Sequence, residues 1–273
     1  VGSPTSRARI EAAARGHKYA LVMEPGRDGD KVVTSRKGVG RFVLTVKGRA
    51  SHAGVRHEDG RSAILEIARQ IVMPVQVYPM FETAIRAKAG LTPEQHLERI
   101  SGLWSRFSAV AAKNPNAWIQ EFKTPEEIRT PGPTNRMVGL PYTKYMNSNN
   151  DVDQGAALIM MSAEKATALG VPRDRWVFPL SGSDCHEHPY ISNRWSFAET
   201  PAVELGGRRA LELAGKTIAD IDIVDLYSCF PAAVQLGAQS LGLDIERQLT
   251  RTGGLSFAGG PWNNYVMHSI ATV

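Results

Sequence analysis

The sequence predicts an α/β protein in two unequal parts. Residues 1–72 are expected to form part of a two-layer α+β unit, and residues 73–273 part of a layered sandwich around a largely parallel sheet. Three observations lead there. In the first part Phe42, Leu44 and Val46 alternate with Val43, Thr45 and Lys47, as on a strand with two distinct faces. In the second part stripes of helical period alternate with short apolar runs such as IDIVDL at 221–226, a pattern that builds helices onto a sheet. Between the two the pattern breaks. Ile64, Leu65, Ile67, Ala68 and Ile71 keep helical spacing, whereas Pro74, Val75, Val77 and Pro79 read as extended chain, because proline lacks an amide proton and restricts the residue before it. Two unrelated sequences are expected to meet there.

Taken in order, Ser3 and Pro4 open a helix that Gly16 stops. Residues 19–23, YALVM, suit a buried strand. Strands at 31–36 and 39–49 follow, then a helix at 61–71. After the break a helix is expected at 79–89. A second helix begins at the capping box Thr92-Pro93-Glu94-Gln95, with Leu97, Ile100, Trp104, Phe107 and Ala111 as its apolar stripe. A turn of helix is expected at 125–128, and a long helix from Gln154 to Leu169 capped by Asp153. A strand at 176–180, a helix from 201 to 214, the strand at 221–226 and a helix from 231 to 241 complete the alternation. A glycine-rich loop at 252–261 precedes a last helical run.

Bulk properties exclude several functions. The 273 residues carry a formal charge of +5, with basic residues scattered and not interleaved with aromatics, so no nucleic acid partner is expected. No apolar run is long enough to span a bilayer. Cys185 and Cys229 are the two cysteines, which imply no disulfide framework and suit a reducing, cytoplasmic setting. Both termini read as cut ends: residues 1–16 have no apolar core of a leader, and Val273 falls inside an apolar run.

Two series of motifs carry resemblances. VGSPTSR, ALVMEPG, VTSRKGVGRFVLTVKGRASHAG and HEDGRSAILEIARQI, in that order, resemble the middle of the zinc aminoacylase and glutamate-carboxypeptidase family of metallopeptidases, including part of its dimerisation domain. The resemblance implies that Glu24 matches a zinc ligand, and that His52 matches the lid-domain histidine that reaches a neighbouring subunit's active site. A dizinc centre needs several more N and O ligands. The segments that supply them in the family are not in this sequence, so Glu24 is expected to hold no zinc, and a dimerisation module is the alternative role of this part.

MNSNNDVDQGAALIMMSAEKATALGV, GRRALELAGKTIADIDIVDLYSCF and TGGLSFAGGPWNNYVMHSIA resemble the thiolase superfamily, in its acetyl-CoA acetyltransferase and sterol-carrier-type branch. The resemblance implies an αβαβα layered sandwich, of which residues 73–273 are a part, and acyl-CoA C-acyltransferase chemistry in lipid metabolism with a CoA thioester as substrate. Such chemistry uses a cysteine nucleophile, an activating histidine and an oxyanion hole. The family's nucleophile precedes the region matched here. Tyr227-Ser228-Cys229-Phe230 stands where the family has Asn-Glu-Ala-Phe, and Gly259-Gly260-Pro261 where it has Gly-His-Pro. The chain alone is therefore expected to be inactive, with a homodimer or a cysteine-bearing partner subunit as its complement. His268, about two helical turns after Gly260, is the candidate replacement base, its alternative a packed helix histidine. Asn263 and Asn264 are candidate donors to the thioester oxygen, and Tyr227 a candidate substrate contact. Cys229 aligns with a small core residue, and the adjacent ligand types in Cys185-His186-Glu187-His188 cannot all converge on one metal.

Overall fold

The structure is a computed structural model that describes residues 73–188 and 190–273. Its first helix, α1 (Pro74–Lys88), begins five residues earlier than the sequence predicts. Pro74 fills the first helical position, where an amide proton is not needed. Pro79 lies inside the helix and deprives the Val75 carbonyl of its donor, but Val75 is exposed and water can serve it. Burial then decides the conformation: Phe81 and Ile85 face inward, and Tyr78 stacks on Phe230 with ring centroids 4.4 Å apart.

Local signals in α2 (Pro93–Ala111) are realised as expected. Thr92 Oγ1 accepts from the Gln95 amide at 3.2 Å, and Gln95 Oε1 accepts from the Thr92 amide at 3.0 Å. Ile100, Trp104, Phe107 and Ala111 are buried, with Trp104 stacked on Phe107 at 5.0 Å. The turn α3 (Pro125–Arg129) repeats the capping device through Thr124 and Glu127. A small antiparallel pair follows, β1 (Met137–Gly139) and β2 (Tyr142–Thr143), with Met137 opposite Thr143.

The predicted helix from 154 to 169 is reduced to α4 (Ala163–Ala168), capped by Ser162 rather than Asp153. The residues before it run alongside the glycine loop: Asn149 donates its amide to Leu255, and Gln154 reaches the Ala258 carbonyl. Ile159 and Met160 are exposed, so no packed face favours a helix there. The stretches 176–180 and 221–226 are not helical and make no ladder. A strand needs a neighbour to exchange backbone bonds. Among the described residues β1–β2 is the sheet, and no parallel ladder forms. Val224 and Leu226 still pack on the core, and the Leu226 amide donates to the Leu249 carbonyl at 2.9 Å.

Helices α5 (Pro201–Ala214) and α6 (Pro231–Leu241) appear where the pattern places them. Each ends at a left-handed glycine, Gly215 and Gly242. The core lies where α2, α6, β2 and the loop carrying Leu249, Leu255 and Phe257 converge. Large apolar side chains on the segments around it stay in water: Trp195 is 97% exposed and Val177 88%.

Candidate functional site

The site is built on the loop from Leu249 to Pro261. It encloses the short helix α7 (Gly254–Phe257) and leads through a 3₁₀ turn, Trp262–Asn264, into α8 (Tyr265–Thr272). Two of the loop's glycines approach neighbouring residues closely in different ways. Gly253 has φ of 102° and lies so close to the Ala111 backbone that a Cβ would overlap it. Gly260 has no such dihedral, but a Cβ there would run into Ser148 Oγ. The stretch 148–154 therefore roofs the loop. Ser148 donates its amide to the Cys229 carbonyl at 2.9 Å, Gly260 donates to the Asn149 carbonyl at 2.8 Å, and the Gln154 side chain fills the space beside Gly259.

Asp225 anchors the loop from below. Its Oδ1 accepts from Thr250 Oγ1 at 2.8 Å and from the Arg251 amide at 2.6 Å, and its Oδ2 from the Tyr265 hydroxyl at 3.0 Å. Ser228 Oγ accepts from the Leu255 amide at 3.2 Å. Neither residue was singled out from sequence. The one available signal was a carboxylate set among the apolar residues of IDIVDL.

Of the residues expected at a site, the structure brings Asn264 and His268 together. Asn264 Nδ2 donates to His268 Nε2 at 3.3 Å, so the imidazole proton sits on Nδ1 when the ring is neutral. Burial holds His268 below the usual imidazole range. Asn263 is half-buried in the 3₁₀ turn beside them. Tyr227 is exposed and meets Tyr265 edge-on at 5.6 Å. Glu24 and His52 lie outside the described residues.

Cys229 is buried, and burial pushes its thiol up to about 11, against the opposing hydrogen bonds of Tyr78 and Tyr227. A thiol held this way is a poor nucleophile near neutrality. Cys185, His186 and His188 are exposed, while Glu187 turns away to accept from the Ala202 amide at 3.0 Å at the start of α5. Among the described residues no three metal-ligating side chains converge.

Comparison with known proteins finds two kinds of likeness. A family model described as "Peptidase dimerisation domain" matches residues 34–74. The chain is 27% identical over 176 residues to a 3-ketoacyl-CoA thiolase of Pseudoalteromonas atlantica, covering 61% of this chain and 43% of that protein. It is 34% identical over 111 residues to a 3-ketoacyl-CoA thiolase of Marinomonas sp., covering 40% of this chain and 26% of that one. Among solved structures it is similar to a monomeric SCP2-thiolase like protein type 1 from Mycobacterium smegmatis, at 39% identity and a TM-score of 0.69. That match covers 75% of this chain and 45% of the other. The chain joins a peptidase-like stretch to a thiolase-like one.

The thiolase-like part thus has an α/β fold of the SCP2-thiolase kind. An Ltp2-ChsH2(DUF35) aldolase, 20% identical with a TM-score of 0.54 and coverage of 73% and 54%, shares the fold alone. The chain spans less than half the length of the curated thiolases it matches. Within the thiolase-like part, a Cβ at Gly260 would meet Ser148 Oγ.

Proposed function

We propose that the thiolase-like part, residues 73–273, holds an acyl-CoA thioester over the glycine loop and performs no acyl transfer alone. The observation that supports the substrate class is the likeness to a 3-ketoacyl-CoA thiolase, 27% identical over 61% of this chain. On this reading Asn263 and Asn264 donate to the thioester oxygen, Tyr227 lines the acyl group and His268 is the base. His268 is neutral near pH 7, the form a base requires, but its Nε2 is occupied by the Asn264 amide. Turning Asn264 toward the thioester oxygen would free Nε2, so substrate binding and base activation are one event. The nucleophilic cysteine comes from a partner subunit, because Cys229 is buried and held protonated. A cytoplasmic location and a role in lipid metabolism belong to the same proposal.

The test is thiolysis of acetoacetyl-CoA by the chain alone, with acetyl-CoA binding measured in parallel by calorimetry. Binding without turnover is expected. Clear turnover would overturn the inactivity, and no binding would overturn the substrate class.

The family match at 34–74 favours a second role for residues 1–72, as a dimerisation module. In this role His52 serves the pairing surface. Light scattering on the chain with and without residues 1–72 decides it: loss of a dimer on truncation is expected, and equal masses would refute the module.

A further inference from the structure

We propose that Asp225 is the positioning residue for His268, an inference that rests on the reading of His268 as the base. The two carboxylate oxygens divide their donors between two elements. Oδ1 takes the loop: Thr250 Oγ1 at 2.8 Å, the Arg251 amide at 2.6 Å, and the Thr252 amide and hydroxyl at 3.2 and 3.4 Å. Oδ2 takes the helix: the Tyr265 hydroxyl at 3.0 Å and the Ser269 hydroxyl. Tyr265, His268 and Ser269 are spaced i, i+3 and i+4, so they share one side of α8. The bonds to Tyr265 and Ser269 clamp the turn of helix that carries the imidazole.

That clamp matters because α8 has eight residues, too few to persist without tertiary support. Asp225 is itself fixed by its neighbours, since Val224 and Leu226 pack on the core and the Leu226 amide donates to Leu249. One carboxylate therefore ties the base's helix to the foot of the glycine loop. The polar group facing the imidazole from its own helix turn is the Asn264 amide. From the element beneath, the charged group is Asp225, acting through Tyr265 and Ser269.

The test follows the His268 ring by NMR through a pH titration, its signal assigned with His268→Gln. Asp225→Asn and the double variant Tyr265→Phe/Ser269→Ala are compared with the wild type. Both are expected to move the His268 midpoint upward by about half a pH unit as the ring becomes more exposed. The double variant leaves every loop donor on Oδ1, so it decides the matter should Asp225→Asn fail to fold. A midpoint unchanged in the double variant, with helix content retained and only the melting temperature lowered, would mean a merely structural tether and would sink the proposal. Acetyl-CoA is added in a separate arm. A wild-type His268 signal that ignores acetyl-CoA refutes the acyl-CoA reading, while the midpoint shift still judges Asp225.

Discussion

Glu82 and His96, each 1% exposed, meet at 2.5 Å between α1 and α2. The same carboxyl group accepts from the Tyr142 hydroxyl at 2.6 Å and from Gln235 Nε2 at 2.7 Å. Four elements, α1, α2, β2 and α6, are thus tied at one buried point, and among the described residues no neighbour satisfies His96 Nδ1 or Gln235 Oε1. Removing one partner from such a pair is far more damaging than replacing both by apolar groups. His96→Ala should lower stability by about 3–5 kcal/mol in urea unfolding. The double variant Glu82→Leu/His96→Leu should be less destabilised than the sum of its singles. Additive losses would show that the pair is not coupled.

Placing a histidine at position 260 should cost stability and add no activity. A Cβ there overlaps Ser148 Oγ, on a stretch held to the loop by the Gly260–Asn149 and Ser148–Cys229 bonds. Overpacking of this kind typically costs about 1–3 kcal/mol. Gly260→His should therefore melt at a lower temperature and gain no thiolysis; activity at wild-type stability would contradict the steric argument.

The two thiols should react at very different rates. Cys185 is exposed, whereas Cys229 is buried with its thiol at about 11. Titration with a disulfide reagent near pH 7.5 is expected to consume one thiol quickly and the second only when the chain unfolds. In Cys185→Ser the fast phase should vanish; a fast phase that survives would mean Cys229 is accessible.

Stability should fall as acid is added across the His268 titration. Burial lowers the folded-state value of this imidazole from the ordinary 6.5. The unfolded chain then binds the proton more readily, so stability rises with pH through the window that ends near that ordinary value. The contribution is fully present above it and lost as pH falls below it. Melting temperatures measured from about pH 5 to 8 should slope less in His268→Gln than in the wild type; parallel slopes would remove His268 as a source.

Most helix boundaries were legible because their causes are local. Thr92 and Gln95 cap α2 within four residues of chain, and Gly215 and Gly242 end α5 and α6 at single positions. The start of α1 was not legible, since its prolines read as extended chain while the burial of Phe81 against Phe197, 5.7 Å away, lies over a hundred residues distant. The stretch 221–226 has the composition of a strand, but pairing is a property of two segments, and its Leu226 amide finds a loop carbonyl instead. The site divides in the same way. His268 and Asn264 were visible as separate candidates after the glycine loop, whereas Asp225 was read as part of an apolar strand.

Sequence by itself determined where α2 begins, where α5 and α6 begin and stop, which residues form the stripe of α2, and which two families the parts resemble. Each of these depends on neighbours within a few turns of chain or on the order of motifs. Only the tertiary structure decided that Asp225 joins the glycine loop to α8, that Ser148 occupies the space beside Gly260, and that Glu82 binds three elements at once. Those contacts link residues 14 to 153 positions apart, and what favours them is that a buried donor or acceptor gains a partner.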